Sequence, residues 1–171
     1  MLPGSSERFI PIPEGNAGNL ITLDRMAEMI REQQPLFTPL ARLGPPSATD
    51  AHRIFEWVRS HMLYIEDLND LRGVIEEIKT PEYLLREIAT FGSAIGDCDD
   101  YVVLYGTIYL ARGYGVKLVA IALHEDTLLE HVFLQVSWDG SGWVTCDGIV
   151  AEPMGWEVPE REQYARVERI V

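Results

Sequence analysis

Gly96-Asp97-Cys98-Asp99-Asp100-Tyr101-Val102-Val103-Leu104-Tyr105 is the stretch on which the reading of this chain turns. It reads as a turn, a cap and the first turns of a buried helix. Asp97 is a favoured N-cap residue, and Asp100 can complete a reciprocal capping arrangement. Asp99 and Asp100 suit the positive end of the helix dipole. The apolar run continues to Leu110-Ala111 and closes on Arg112-Gly113-Tyr114-Gly115, a basic last turn followed by a glycine stop. Cys98 therefore falls in the first turn of a core helix, where backbone N–H groups and the dipole favour the thiolate. Position alone does not make a nucleophile, because free cysteine is among the most buried residue types and commonly just packs. The carboxylates of Asp97, Asp99 and Asp100 oppose ionisation, since adjacent negative charge raises a thiol pKa. A reactive Cys98 thus requires a cationic partner from another part of the fold, and histidine is the natural one.

Downstream of Gly115 the hydrophobic period changes. Val116 to Leu123 is a compact apolar run, read as a buried strand. His131 to Trp138 is a second strand, Asp139-Gly140-Ser141-Gly142 a hairpin turn, and Trp143 to Asp147 a third strand. Strands joined by so tight a turn are antiparallel neighbours. Alternation puts His131, Phe133, Gln135 and Ser137 on one face, and Trp143, Thr145 and Asp147 on one face of the next strand. Pairing around the turn brings His131 to the level of Asp147 or just beyond it. If the faces coincide, an imidazole and a carboxylate meet at one sheet edge, the arrangement in which an acid orients a histidine and stabilises its charged form. Each residue also has a plainer reading. His131 can be a half-buried strand histidine, and Asp147, before Gly148, a turn residue. Cys146 alternates to the opposite face and reads as core, while His124 beside Glu125 and Asp126 reads as an exposed loop residue. The ordered set of helix-start cysteine, strand histidine and strand-end aspartate carries more weight than any member.

Upstream, residues 1–18 read as an extended arm with Phe9, Ile10 and Ile12 as its apolar contacts. Residues 19–34 carry Leu20, Leu23, Met26, Ala27 and Ile30 at helical spacing, ended by Pro35 and Pro39. After the break at Gly44-Pro45-Pro46, Ser47 to Asp50 offers caps for a helix over 50–62 with Ile54, Trp57, Val58 and His61 near one face. His52 and His61 read as ordinary helix histidines. Leu63 to Asp67 reads as extended, and residues 68–79 carry no assignment. Thr80-Pro81-Glu82 starts a helix over 81–89 that presents Tyr83, Leu84 and Ile88 to the core. Residues 90–96 read as a Gly-Ser loop leading to the central helix.

The 171 residues show no repeat and suit one domain with a real core. Hydrophobic residues make up 47%, too many for a disordered chain. No apolar run reaches the ~18 residues of a membrane span, and the N-terminus lacks the pattern of a signal peptide. Free thiols at Cys98 and Cys146 are therefore expected, and with them a reducing compartment. The net charge of −13 argues against nucleic acid or anionic membrane as a partner and favours a basic or lysine-bearing one. The alternative is that this charge only keeps the surface soluble.

These motifs together resemble the transglutaminase-like superfamily of cysteine enzymes. The resemblance rests on Gly-Asp-Cys-Asp-Asp at 96–100, Glu130 to Val136 and Gly142 to Asp147, with weaker support upstream from His61 to Asp67 and from Lys79 to Leu85. It spans roughly residues 50–157, and the acidic form around the cysteine is similar to bacterial and bacteriophage members, including the transglutaminase-like cysteine proteinases. It implies an α+β, papain-like core with the cysteine helix packed on an antiparallel sheet. An N-terminal arm and helix (1–47) would precede the catalytic core (48–171) within one compact domain. It also implies Cys98 as nucleophile, His131 as general base and acid, and Asp147 as orienter, with acyl transfer through a thioester. The backbone N–H of Cys98 is one oxyanion donor and Tyr64 a second candidate. No cofactor is required, although some bacterial relatives bind calcium beside the cysteine, where Asp97 and Asp99 match. The expected activity is cleavage of a peptide or amide bond in a peptide or protein substrate, by a cytoplasmic or virion-associated protein. The alternative is a non-catalytic binding or assembly module on the same fold.

Overall fold

The computed structural model describes residues 8–11, 16–65, 75–125 and 129–171. The readings of residues 1–7 and 12–15 of the arm, of residues 66–74, and of Asp126 lie outside the described residues. The chain is α+β. Its α-helices are α1 (Asn16–Gln33), α2 (Ala48–His61), α3 (Pro81–Phe91) and α4 (Cys98–Ala111). Its strands are β1 (Arg8–Pro11), β2 (Met62–Tyr64), β3 (Ile75–Ile78), β4 (Ala94–Gly96), β5 (Gly115–Ala122), β6 (His131–Ser137), β7 (Val144–Cys146) and β8 (Ala165–Ile170).

Helix α4 is apolar all round, and such a helix can only be buried. From Asp99 to Ala111 every residue but Leu110 is buried. One flank lies on the four-stranded sheet, ordered β7-β6-β5-β8 with every neighbour antiparallel. Leu118, Val132, Leu134 and Val136 of the sheet join α4 in the main core, whereas Val119, Ile121 and Phe133 form a separate small cluster. A second flank is fastened by three tyrosines at successive turns. Tyr101 donates to the Met62 carbonyl (2.8 Å), Tyr105 to that of Phe55 (2.8 Å) and Tyr109 to that of Ala51 (2.7 Å). The phenol groups thereby satisfy their polar ends while the rings fill the core.

Helix α1 covers α4 with Leu23, Met26, Ala27 and Ile30, all buried. Close approach depends on Gly106, where a Cβ would sit 2.5 Å from Cδ1 of Ile30. A 3-10 segment (Gln34–Leu43), carrying the prolines at 35 and 39, follows α1 directly. Ser47 caps α2 by accepting the Asp50 N–H at 3.2 Å, and Thr80 caps α3 by accepting that of Tyr83 at 3.3 Å, as the sequence predicts. Arg112 locks the far end of α4 to the start of α2. Its Nε and Nη2 donate to Asp50 Oδ2 at 2.9 and 2.5 Å, and Nη1 donates to the Gly44 carbonyl at 3.0 Å.

Two readings are corrected, and further strands lie where the sequence gives no assignment. Residues 94–96 are not loop but β4, parallel to β2 with Tyr64 opposite Gly96. The strand expected from Trp143 starts at Val144 because the loop before it is one residue longer, with Gly140 at φ +74°. β8 is a strand the periodicity does not reveal, and the unassigned 75–78 pairs with β1. The Asp100 carboxylate, fully buried, accepts the Lys79 N–H at 2.8 Å and Lys79 Nζ at 3.3 Å.

Candidate active site

Cys98 is the first residue of α4, held by a cap directly before it. Asp97 Oδ1 accepts the N–H groups of Asp99 (3.1 Å) and Asp100 (3.5 Å). The approach to the cap is tight, since a Cβ on Gly96 would meet both Cβ and Oδ2 of Asp100 at 2.5 Å. Cys98 is half-buried, and its thiol donates to Asp99 Oδ1 at 3.7 Å.

His131 opens β6 and Asp147 directly follows β7. Leu134 faces Cys146 and Gln135 faces Thr145, so this register sets Asp147 level with Phe133 and His131 two positions further along. The imidazole reaches back across that offset, and its Nε2 donates to Asp147 Oδ2 at 2.7 Å. Asp147 Oδ1 accepts the N–H of Ile149 at 3.3 Å, which fixes the carboxylate. The two side chains are only 10% and 5% exposed, so the pair is shielded from competing water. With Nε2 engaged, Nδ1 is the ring nitrogen left to serve a further partner.

Cys98, Asp99 and His131 line one cavity of about 90 Å³. Four more of its residues, Asn19, Thr22, Leu23 and Met26, come from α1. Sequence reasoning placed α1 outside the catalytic resemblance. Its apolar spacing marks a buried helix but does not name what it is buried against. A larger apolar cavity of about 440 Å³ lies elsewhere, between the 3-10 segment, α2 and α3. It contains Asp50, Arg53 and Arg112 but no nucleophile, so size is not the guide to chemistry here.

The other candidates fall as follows. Tyr64 is exposed and does not line the Cys98 cavity. Cys146 is buried against Tyr109, and its thiol is pushed up to about 12, first by burial, with the hydrogen bond to Tyr109 opposing and Asp147 adding to the rise. His52 is exposed, and His61 stacks on Trp57 with ring centroids 4.7 Å apart. His124 is exposed, with Nδ1 2.8 Å from Glu130 Oε1. One ligand atom from each of Asp97, Cys98 and Asp99 lies within 4.8 Å of the others. Calcium takes about six to eight oxygen ligands. This set offers two carboxylates and a sulfur, with Asp97 Oδ1 already serving the cap, so calcium there would need backbone carbonyls or waters to complete its shell.

No family model and no curated protein matches the chain. Among solved structures it is similar to a "Putative Cysteine Protease from Cytophaga hutchinsonii", with a TM-score of 0.49 and 13% identity over 86% of this chain and 51% of that one. The chain thus spans about half the length of that protein. Resemblance at this level assigns neither a family nor an activity.

Proposed function

We propose that the chain is a cysteine hydrolase on a transglutaminase-like, papain-like core, cleaving a peptide or amide bond. The observation that carries this reading is the 2.7 Å bond from His131 to Asp147, with His131 and Cys98 lining one cavity. In the proposed reaction His131 Nδ1 takes the Cys98 thiol proton and the sulfur attacks the substrate carbonyl carbon. The oxyanion forms beside the N-terminus of α4, where the Cys98 N–H is the proposed donor. Tyr64, on the strand opposite Gly96, is the second donor considered. His131 then returns the proton to the departing amine, leaving a thioester on Cys98. Water attacks the thioester as His131 takes its proton, the carboxylic acid leaves, and the thiol is restored. Asp147 holds Nε2–H throughout, which leaves Nδ1 to exchange the proton with the sulfur in the proposed reaction.

The test is hydrolysis of a peptide library by the purified chain and by its Cys98→Ala and His131→Ala variants. Loss of cleavage by a factor of about 10³ or more in both variants, with unchanged melting, supports the reading. Cleavage that survives Cys98→Ala contradicts it. The smallness of the cavity is the one observation that favours the alternative, a binding or assembly module. That reading predicts no cleavage by the parent chain and an unreactive Cys98.

A further inference from the structure

We infer that α1 is the specificity wall of this site, and that it admits only a small uncharged acyl side chain, glycine or alanine, beside Cys98. The inference deepens the proposed thiol chemistry and rests on it. The cavity that holds Cys98 and His131 measures about 90 Å³. An apolar cavity of about 150 Å³ is what a benzene ring occupies, and pockets for drug-sized ligands run to about 300–1,000 Å³. The site is a half-open cleft, and a phenylalanine side chain exceeds the part of it that the walls enclose.

One wall of the cleft is α1, through Asn19, Thr22, Leu23 and Met26. This wall cannot simply swing aside. Leu23 and Met26 are 2% and 1% exposed and belong to the main core, while Ile30 sits in the notch at Gly106. Asn19 Nδ2 donates to the Leu129 carbonyl at 2.5 Å, clasping α1 to the segment that leads into β6. At the other edge Arg169 Nε pairs with Asp24 at 2.8 Å, holding α1 to β8. Close-packed interiors resist a methylene too many, so a large acyl side chain has nowhere to go. Asp99 and Glu130 are among the lining residues, and their negative charge disfavours an acidic side chain there.

The experiment measures alkylation of Cys98 in the full chain by acetyl-glycyl, acetyl-alanyl, acetyl-leucyl and acetyl-phenylalanyl chloromethyl ketones, with iodoacetamide as a size-neutral control. In each ketone reaction the Cys98 sulfur bonds to the methylene carbon as chloride leaves. The glycyl and alanyl reagents should react at least about tenfold faster than the phenylalanyl one. Met26→Ala, and separately Thr22→Ala in case the first variant melts too low, should narrow that ratio by about threefold or more, each ketone rate being taken relative to the same variant's iodoacetamide rate. Equal rates for small and large reagents, with normal iodoacetamide labelling, overturn the inference alone. So does a ratio that neither variant moves. A Cys98 that resists iodoacetamide in the folded chain overturns the thiol chemistry and the inference with it.

Discussion

At the scale of single residues the site depends on small things done in the right place. Gly96 is one of them. A methyl group there would strike the Cβ of Asp100, which is buried and bonded to Lys79, so neither neighbour can yield cheaply. Gly96→Ala should cost roughly 1–3 kcal/mol by overpacking, read as a lower urea midpoint with an unchanged slope. An unchanged midpoint would mean that the turn into α4 is looser than described. The pairing of His131 with Asp147 was legible from alternation and a short turn alone. The ion pair of Asp100 was not, because only the fold brings Lys79 to it. The two thiols also separate at this scale. Cys146 sits on the core face of β7, where burial holds it protonated, whereas Cys98 sits half-exposed at a helix start.

At the scale of elements, helix ends matter more than helix middles. Arg112, at the far end of α4, is almost wholly buried and clamps Asp50 and the Gly44 carbonyl. Arg112→Ala leaves Asp50 without its cation, and Tyr114, whose hydroxyl lies 3.1 Å from the same carboxylate oxygen, cannot replace the charge. A loss of about 3 kcal/mol is expected in chemical denaturation. A loss below about 1 kcal/mol would place the pair among ordinary surface bridges. The four helices announced themselves in the sequence through caps and spacing at Ser47, Thr80 and Asp97. β8 did not. Ala165-Arg166-Val167-Glu168 alternates, but Arg169-Ile170 breaks the alternation, so the period-two signal covers only four residues, while Arg166 and Glu168 pair along the strand and with Lys117. β1 and β3 were equally hidden because two short strands gain their meaning only from pairing with each other.

At the scale of the whole molecule the sheet, α4 and α1 have to be assembled before any site exists. The same assembly sets the acid limit of the fold. Glu157 gathers Thr145, Gln135 and Arg166 at the outer face of the sheet. Burial pushes its carboxyl up, but the hydrogen bond from Thr145 and the contacts with Arg166 and Gln135 outweigh that and hold it below the usual range. A depressed carboxylate stabilises the fold above its unfolded value, near ~4.3, and that contribution is lost as pH falls through the folded value. The melting temperature should therefore fall on acidification below about pH 4.5, and Glu157→Gln should flatten that fall. Identical acid profiles would remove Glu157 from the account. The central claim is that assembly brings a thiol from α4 to a histidine from β6 held by an aspartate beyond β7. Its most direct test is the pH dependence of Cys98 alkylation by iodoacetamide, mapped by mass spectrometry, with Cys146 as the internal control. The account predicts fast labelling of Cys98 well below the ~8.5 midpoint of an ordinary thiol, loss of that low-pH reactivity in His131→Ala, and no labelling of Cys146 in the folded chain. A Cys98 that titrates like an ordinary thiol, or whose low-pH labelling survives His131→Ala, would contradict it.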